Sequence, residues 1–211
     1  MARRVDSSSK CERCRRQGEK LFLKGERCYT PKCAITRRNY APGQHGQTSR
    51  NRMSEFGAQL AEKQKAKSEY DLMERQFREY FERATRHSGV TGEKLLEFLE
   101  RRLDNVVYRM QIAKSRRTAR QLVRHGHVLV NGKRNDLPAY QVQTGDKISV
   151  AERSRKMDYF ATAAKSIQTK LIPAWIEHDT ANLTAEIKAL PKPEDTAQEL
   201  KLQQIVEYYS R

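Results

Sequence analysis

The sequence predicts an α+β fold that is mainly helical, and three features carry that prediction. All four cysteines fall in two close pairs between positions 11 and 33. From position 54 to Val106, apolar residues recur every three or four positions, the period of an amphipathic helix. Two short strand-like runs, Val128-Leu129-Val130 and Lys147-Ile148-Ser149-Val150, are bounded by the turn signals Asn131-Gly132 and Gly145-Asp146.

The 211 residues can fill one large domain or two small ones. Only 37% are hydrophobic and 32% are charged, with a net charge of +16. Such an imbalance points to a polyanion partner, most often nucleic acid. It is unevenly spread: residues 1–52 carry 14 basic and 4 acidic side chains, whereas residues 170–211 carry 5 and 7. No apolar run approaches the roughly 18 residues of a membrane span. The basic start lacks the apolar stretch of a secretory signal, so a reducing, cytoplasmic setting is expected.

Cys11, Cys14, Cys28 and Cys33 have the spacing C-x2-C, thirteen residues, C-x4-C. Two such pairs can present four thiolates tetrahedrally to one Zn²⁺ at about 2.3 Å. An iron–sulfur cluster and inert thiols are the alternatives. A disulfide conflicts with a reducing compartment, and no βαβ unit surrounds Cys11 to support a redox motif. Four cysteine ligands leave no open metal position, so the metal would be structural. Seven cations, Arg13, Arg15, Arg16, Lys20, Lys24, Arg27 and Lys32, would help keep the thiols ionised.

Residues 34–52 lack periodicity, and Ala-Pro-Gly and His-Gly mark turns in a basic loop. From Ser54 the pattern is helical, with Tyr70, Met73, Phe77, Tyr80, Phe81 and Ala84 on one apolar face. Gly89 and Gly92 break it. Thr91 is the expected cap of a second helix that turns Leu95, Leu99, Leu103 and Val106 inward and shows Arg101, Arg102 and Arg109 outward. Ser115 caps a third helix, stopped by Gly126. Its apolar face is Ala119, Leu122 and Val123, and its other side holds Arg116, Arg117, Arg120, Gln121 and Arg124. Asn131-Gly132 then makes a type I′ hairpin carrying Lys133 and Arg134. Helical, basic character continues over 153–170. Residues 173–193 are mixed, with Trp175 partly buried, and the end docks as a short helix through Leu202, Ile205, Val206 and Tyr209.

The segments Arg102-Leu-Asp-Asn-Val-Val-Tyr-Arg109, Ser115-Arg, Ala119 to His127, Val130-Asn-Gly132, Tyr140-Gln-Val and Gly145-Asp resemble the RNA-binding module named after ribosomal protein S-four. Ala41-Pro-Gly-Gln-His-Gly46, Glu62 to Lys65, Glu74 to Arg78 and Ile205 to Arg211 extend the resemblance to the bacterial ribosomal family itself. Two departures are Ser49, where a basic residue is often found, and Met110-Gln111, where a glycine–aromatic pair is commoner.

The resemblance implies a basic zinc knuckle and irregular loop over 1–52, and a helical domain over 53–100 completed by a C-terminal helix over 197–211. A mixed domain over 101–196 would carry the module at about 101–165, as helices plus a small antiparallel sheet. It implies one structural Zn²⁺ on the four cysteines. It further implies an early-assembly, cytoplasmic protein of the small ribosomal subunit that binds the 5′ domain of 16S ribosomal RNA. Ribosomal protein S-five and other small-subunit proteins would be partners. A site near the mRNA entry channel, with a contribution to translational accuracy, would bring Arg50 and Arg52 to the channel.

Candidate RNA contacts in the N-terminal part are Arg3, Arg4, Arg13, Arg15, Arg16, Arg37, Arg38, His45, Arg50 and Arg52. In the module they are Arg102, Arg109, Ser115, Arg116, Arg117, Arg120, Gln121, Arg124, His125, His127, Asn131 and Lys133. No catalysis is expected, because few residues remain for a second domain and the five histidines show no metal spacing. An RNA-modifying enzyme with the same module is the alternative, and a DNA-binding protein the third reading.

Overall fold

The computed structural model describes residues 9–48, 53–167, 172–195 and 200–211. The chain divides into two compact units, Met1–Glu82 with Leu200–Arg211, and Arg83–Glu199. The sequence reading draws its line at residue 100 instead.

In the first unit, α1 (Lys10–Gln17) starts at a capping box: Glu12 N–H donates to Ser9 Oγ, and Ser9 N–H donates to Glu12 Oε2. The first cysteine pair, Cys11 and Cys14, thus sits on a capped helix, a detail the spacing of the cysteines does not announce. A 3₁₀ turn (Gly25–Cys28) and a single helical turn, α2 (Ala34–Arg37), follow. Leu21 and Ile35 are buried alongside three of the cysteines.

α3 (Glu55–Glu69), capped by Ser54 Oγ, buries mainly polar side chains, among them Gln59, Lys63 and Glu69, whereas α4 (Glu74–Thr85) supplies the apolar face of this unit. The sequence reads one continuous stripe here. The chain instead breaks at Asp71, which adopts a left-handed φ of 51°. Tyr70, Phe77, Tyr80, Phe81 and Ala84 are buried as the stripe requires, but Met73, in the break, is 40% exposed. α10 (Leu202–Tyr209) covers the face. Its Tyr209 ring stacks on Phe81 at 4.5 Å between centroids, and Ile205 is completely buried.

The second unit begins with α5 (Thr91–Glu100), α6 (Leu103–Arg109) and α7 (Arg116–Arg124). Thr91 is the first helical residue and not the cap; Val90 takes that place without a side-chain bond. Gly92 lies inside α5. Leu95, Leu99, Leu103 and Val106 are all buried, on two helices that meet at Arg101 and Arg102.

β1 (Val128–Val130), β2 (Lys133–Arg134) and β3 (Lys147–Val150) form where the turn residues place them. Asn131 and Gly132 have φ of 50° and 78°, as a type I′ turn demands. Two short helices, α8 (Glu152–Arg155) and α9 (Asp158–Ser166), stand where a continuous one was expected. β4 (Ile176–Asp179) and β5 (Thr184–Ile187) then complete an antiparallel sheet of order β2-β1-β3-β5-β4. Its core face presents Val128, Val130, Ile148, Val150, Ala185 and Ile187 to Leu103, Val106, Val107, Ala119, Val123, Phe160 and Trp175.

Ile205 is the one fully buried residue on α10 among the described residues. Ile205→Ala should cost about 2–5 kcal/mol, the range for emptying a buried aliphatic site. Urea unfolding followed by circular dichroism would read the loss as a lower midpoint.

Candidate nucleic-acid interface

Two acidic side chains are almost completely buried in the second unit. Asp104, on the first turn of α6, is 3% exposed, and Glu100, ending α5, is 1% exposed. A lone carboxylate in such surroundings would be prohibitively desolvated, so each is matched by arginine. Arg102 donates from Nε and Nη2 to the two oxygens of Asp104 at 3.0 and 2.8 Å. Arg120 reaches Asp104 Oδ2 from α7, with Nε at 2.8 Å and Nη2 at 2.7 Å. Arg109 forms a two-pronged pair with Glu100 at 2.9 and 2.8 Å. Asn105 Nδ2 donates to Glu100 Oε2 at 2.8 Å, while its Oδ1 accepts from Arg116 Nε at 2.8 Å. The Arg116 guanidinium also lies 4.7 Å from the Tyr108 ring centre.

This network sorts the four arginines of α7. Arg116 and Arg120 are half-buried and turned toward α6. Arg117, Gln121 and Arg124, spaced by four and three, are exposed on the outward face. Arg102 is buried and Arg109 half-buried, so neither is displayed as the sequence suggested. Ser115 is buried, its Oγ accepting from Thr118 N–H as the helix cap.

The hairpin carries the outward face onward. Lys133 and Arg134 on β2 are exposed. Asn131 ties the turn to the strand beside it: its Oδ1 accepts from Lys147 N–H at 2.9 Å and its Nδ2 donates to Asp146 at 2.8 Å. Arg134 lies across Gly126, where a Cβ would come within 2.0 Å of its Nε. His125 is exposed. His127 is half-buried, with Nδ1 2.9 Å from Ser154 Oγ. Burial, then the neighbouring His125 and Arg134, lowers the His127 pKa and favours its neutral form. The result is one cationic strip of Arg117, Arg124, Lys133 and Arg134 with Gln121 and His125, suited to phosphate oxygens and exposed bases. Arg134 joins the strip without being among the candidate contacts, and its place beside Lys133 on β2 is the sequence signal for it.

In the first unit, Arg16, Arg37, Arg38 and His45 are exposed. Arg13 faces Asp71 at 3.9 Å. Arg15 donates to the carbonyls of Tyr40 and Ala41 and covers the Tyr40 ring, fastening the Ala41–Gly46 turn to α1. That turn needs glycine at 46, since a Cβ would meet Ala41 O at 1.9 Å. Arg3, Arg4, Arg50 and Arg52 lie outside the described residues.

The four thiols are free and line one small pocket with Leu23 and Ile35. As placed, no three or more His, Cys, Asp or Glu among the described residues close into a group that could hold a metal ion. Burial raises the Cys14 thiol pKa, and the other three cysteines add to this. Burial also pushes Cys33 up, but the N–H groups of Ile35 and Thr36 outweigh it and hold that thiol low. Convergence on a shared pocket, with a backbone device favouring one thiolate, fits an all-cysteine metal site in residue type and location. Among the described residues, no helix is long and apolar enough to cross a membrane.

Comparison with known proteins covers the whole of this arrangement. The family model for the ribosomal protein S4/S9 N-terminal domain matches residues 6–100, and that for the S4 domain matches residues 101–148. The small ribosomal subunit protein uS4 of Acidithiobacillus ferrooxidans is 54% identical over 201 residues, covering 95% of this chain and 96% of the relative. Its counterpart in Acetivibrio thermocellus is 53% identical over 211 residues, 100% of both chains. That of Syntrophus aciditrophicus is 50% identical over the same span.

Gly126→Ala should destabilise the protein by about 1 kcal/mol or more, since it combines a φ of 74° with the Arg134 collision. In a double-mutant cycle, Arg134→Ala should relieve part of that loss, leaving the backbone share. Thermal melts of the four proteins measure both.

Proposed function

The chain belongs to the small ribosomal subunit protein uS4 family, and from that premise we propose that it binds 16S ribosomal RNA as a structural, early-assembly component of the small subunit. One observation carries the reading: the S4 domain turns Arg117, Gln121, Arg124, His125, Lys133 and Arg134 outward on elements locked by a buried ion network. Phosphates displace counterions from such a strip, and planar guanidinium groups can also stack on unpaired bases. The buried network acts earlier in the chain of causes. It fixes the axis and rotation of α7, so the outward cations are pre-positioned and lose little freedom on binding.

The family resemblance extends the proposal to the 5′ domain of 16S RNA, to ribosomal protein S-five and other small-subunit proteins, and to a cytoplasmic site near the mRNA entry channel with an effect on accuracy. The relatives align over this chain from end to end, which supports a non-catalytic role over an RNA-modifying enzyme. We also propose that Cys11, Cys14, Cys28 and Cys33 hold one zinc ion. The metal would supply a closed structural crosslink, and the chain's own part is to bury the thiols beside Leu21 and Ile35.

Filter binding to a 16S 5′-domain transcript should exceed binding to duplex DNA of equal length at physiological salt; equal affinity sinks the ribosomal reading. Arg117→Ala and Arg124→Ala should each flatten the salt dependence by roughly one unit of log–log slope. Arg120→Ala should instead lower thermal stability, since Asp104 loses one of its two arginines, with a smaller change in slope. Elemental analysis of purified protein should give one zinc per chain; iron with visible absorbance would overturn the metal assignment.

A further inference from the structure

We infer that the Phe22–Tyr29 ring pair is a stacking platform for an unpaired RNA base, a second contact site separate from the α7–β2 strip; the inference rests on the RNA-binding reading above. Tyr29 is 71% exposed, more than any other large hydrophobic side chain recorded among the described residues. Its ring stacks on Phe22, with centroids 4.9 Å apart and planes 28° from parallel. Tyr29 is the outer, solvent-facing ring of this stack, and Phe22 the half-buried inner one.

The backbone builds this presentation at a cost. Leu21 is fully buried and anchors the segment. Phe22 then adopts a left-handed φ of 50°, which an aromatic residue rarely takes. Strain of this kind persists where the surroundings enforce it, and it gathers at functional sites. Opposite, the Gly25–Cys28 turn sets Tyr29, whose N–H donates to Glu26 O. A pair serving only to pack the turn would bury both rings, yet the outer one is mostly in solvent.

The surrounding charge selects the occupant. Lys20, Lys24, Arg27 and Lys32 are exposed on the same segment. Of the nearby acids, Glu19 is taken up by Lys65 at 2.6 Å, and the exposed Glu26 in the turn leaves the segment with four cations to one remaining acid. An aromatic face on a cation-rich segment is the kind of surface that binds single-stranded nucleic acid, with the base on the ring and its phosphates met by lysines and arginines. A duplex would not satisfy it, because paired bases offer no free face.

The test uses the full chain and the 16S 5′-domain transcript. Tyr29→Ala should weaken binding about tenfold or more, the scale of losing one stacked base, while leaving the salt slope unchanged because no phosphate contact is lost. Tyr29→Phe should bind like the parent. Tyr29→Leu, which keeps apolar bulk and guards against a folding defect, should behave like Tyr29→Ala. Lys24→Ala should do the opposite and flatten the slope. Ultraviolet crosslinking with mass spectrometry should place a nucleotide adduct on the peptide containing Tyr29. Tyr29→Ala and Tyr29→Leu binding within twofold of the parent would overturn the platform while leaving the RNA-binding reading intact. Failure of the parent chain to prefer the transcript over duplex DNA would sink both.

Discussion

The burial of Asp104 and Glu100 is the constraint on which the second unit depends. Burying a carboxylate that deeply is costly unless cations sit at bonding distance, and each of the two has them. The partners come from three places in the chain: the link before α6, the end of α6, and α7. Satisfying two acids therefore fixes how α6 and α7 cross. The apolar residues beneath, Leu103, Val106, Ala119 and Val123, fill the space so defined. The same pairing explains how four arginines coexist on one short helix. Half of that charge is neutralised or held on the inner side, and the other half is free to face a polyanion.

The first unit repeats the device around a half-exposed acid. Glu74 accepts from Lys63 at 2.6 Å, Lys67 at 3.1 Å and Tyr209 Oη at 3.0 Å, so one carboxylate gathers α3, α4 and α10. Burial tends to raise its pKa, but the two lysines outweigh that and hold it below the usual range. The Tyr209 hydroxyl is driven the other way, by burial and then by Glu74, and stays a donor. In both units, then, polar bonds specify the arrangement while apolar burial supplies the driving force.

What could be read from the sequence was what is decided locally. Asn131-Gly132 is a turn whatever surrounds it, Ser115 caps α7, and the inward faces of α4 and α5 follow from spacing alone. Long-range choices were hidden. β4 and β5 contain Glu177, His178, Asp179 and Glu186, poor strand formers that become strands only because β3 offers an edge. The division of labour among Arg116, Arg117, Arg120 and Arg124 was equally out of reach, because all four sit on a polar side. The signal that could have found it is Asp104 itself, an acid inside the apolar run Leu103 to Val107. A charge there has to be met from elsewhere in the chain. The break at Asp71 went unseen because Asp71 is a left-handed residue without a glycine to announce it.

The closing of α10 over α3 and α4 has a consequence for synthesis. A ribosome delivers the chain from its N-terminal side, so Phe77 and Phe81 emerge long before the helix that covers them. The second unit is drawn from the continuous stretch Arg83–Glu199, so its packing partners are all out before α10 is made. The first unit must wait for Ile205 and Tyr209. The part made first is thus the part finished last, and until then its aromatic face stands open to chaperones or to a premature partner.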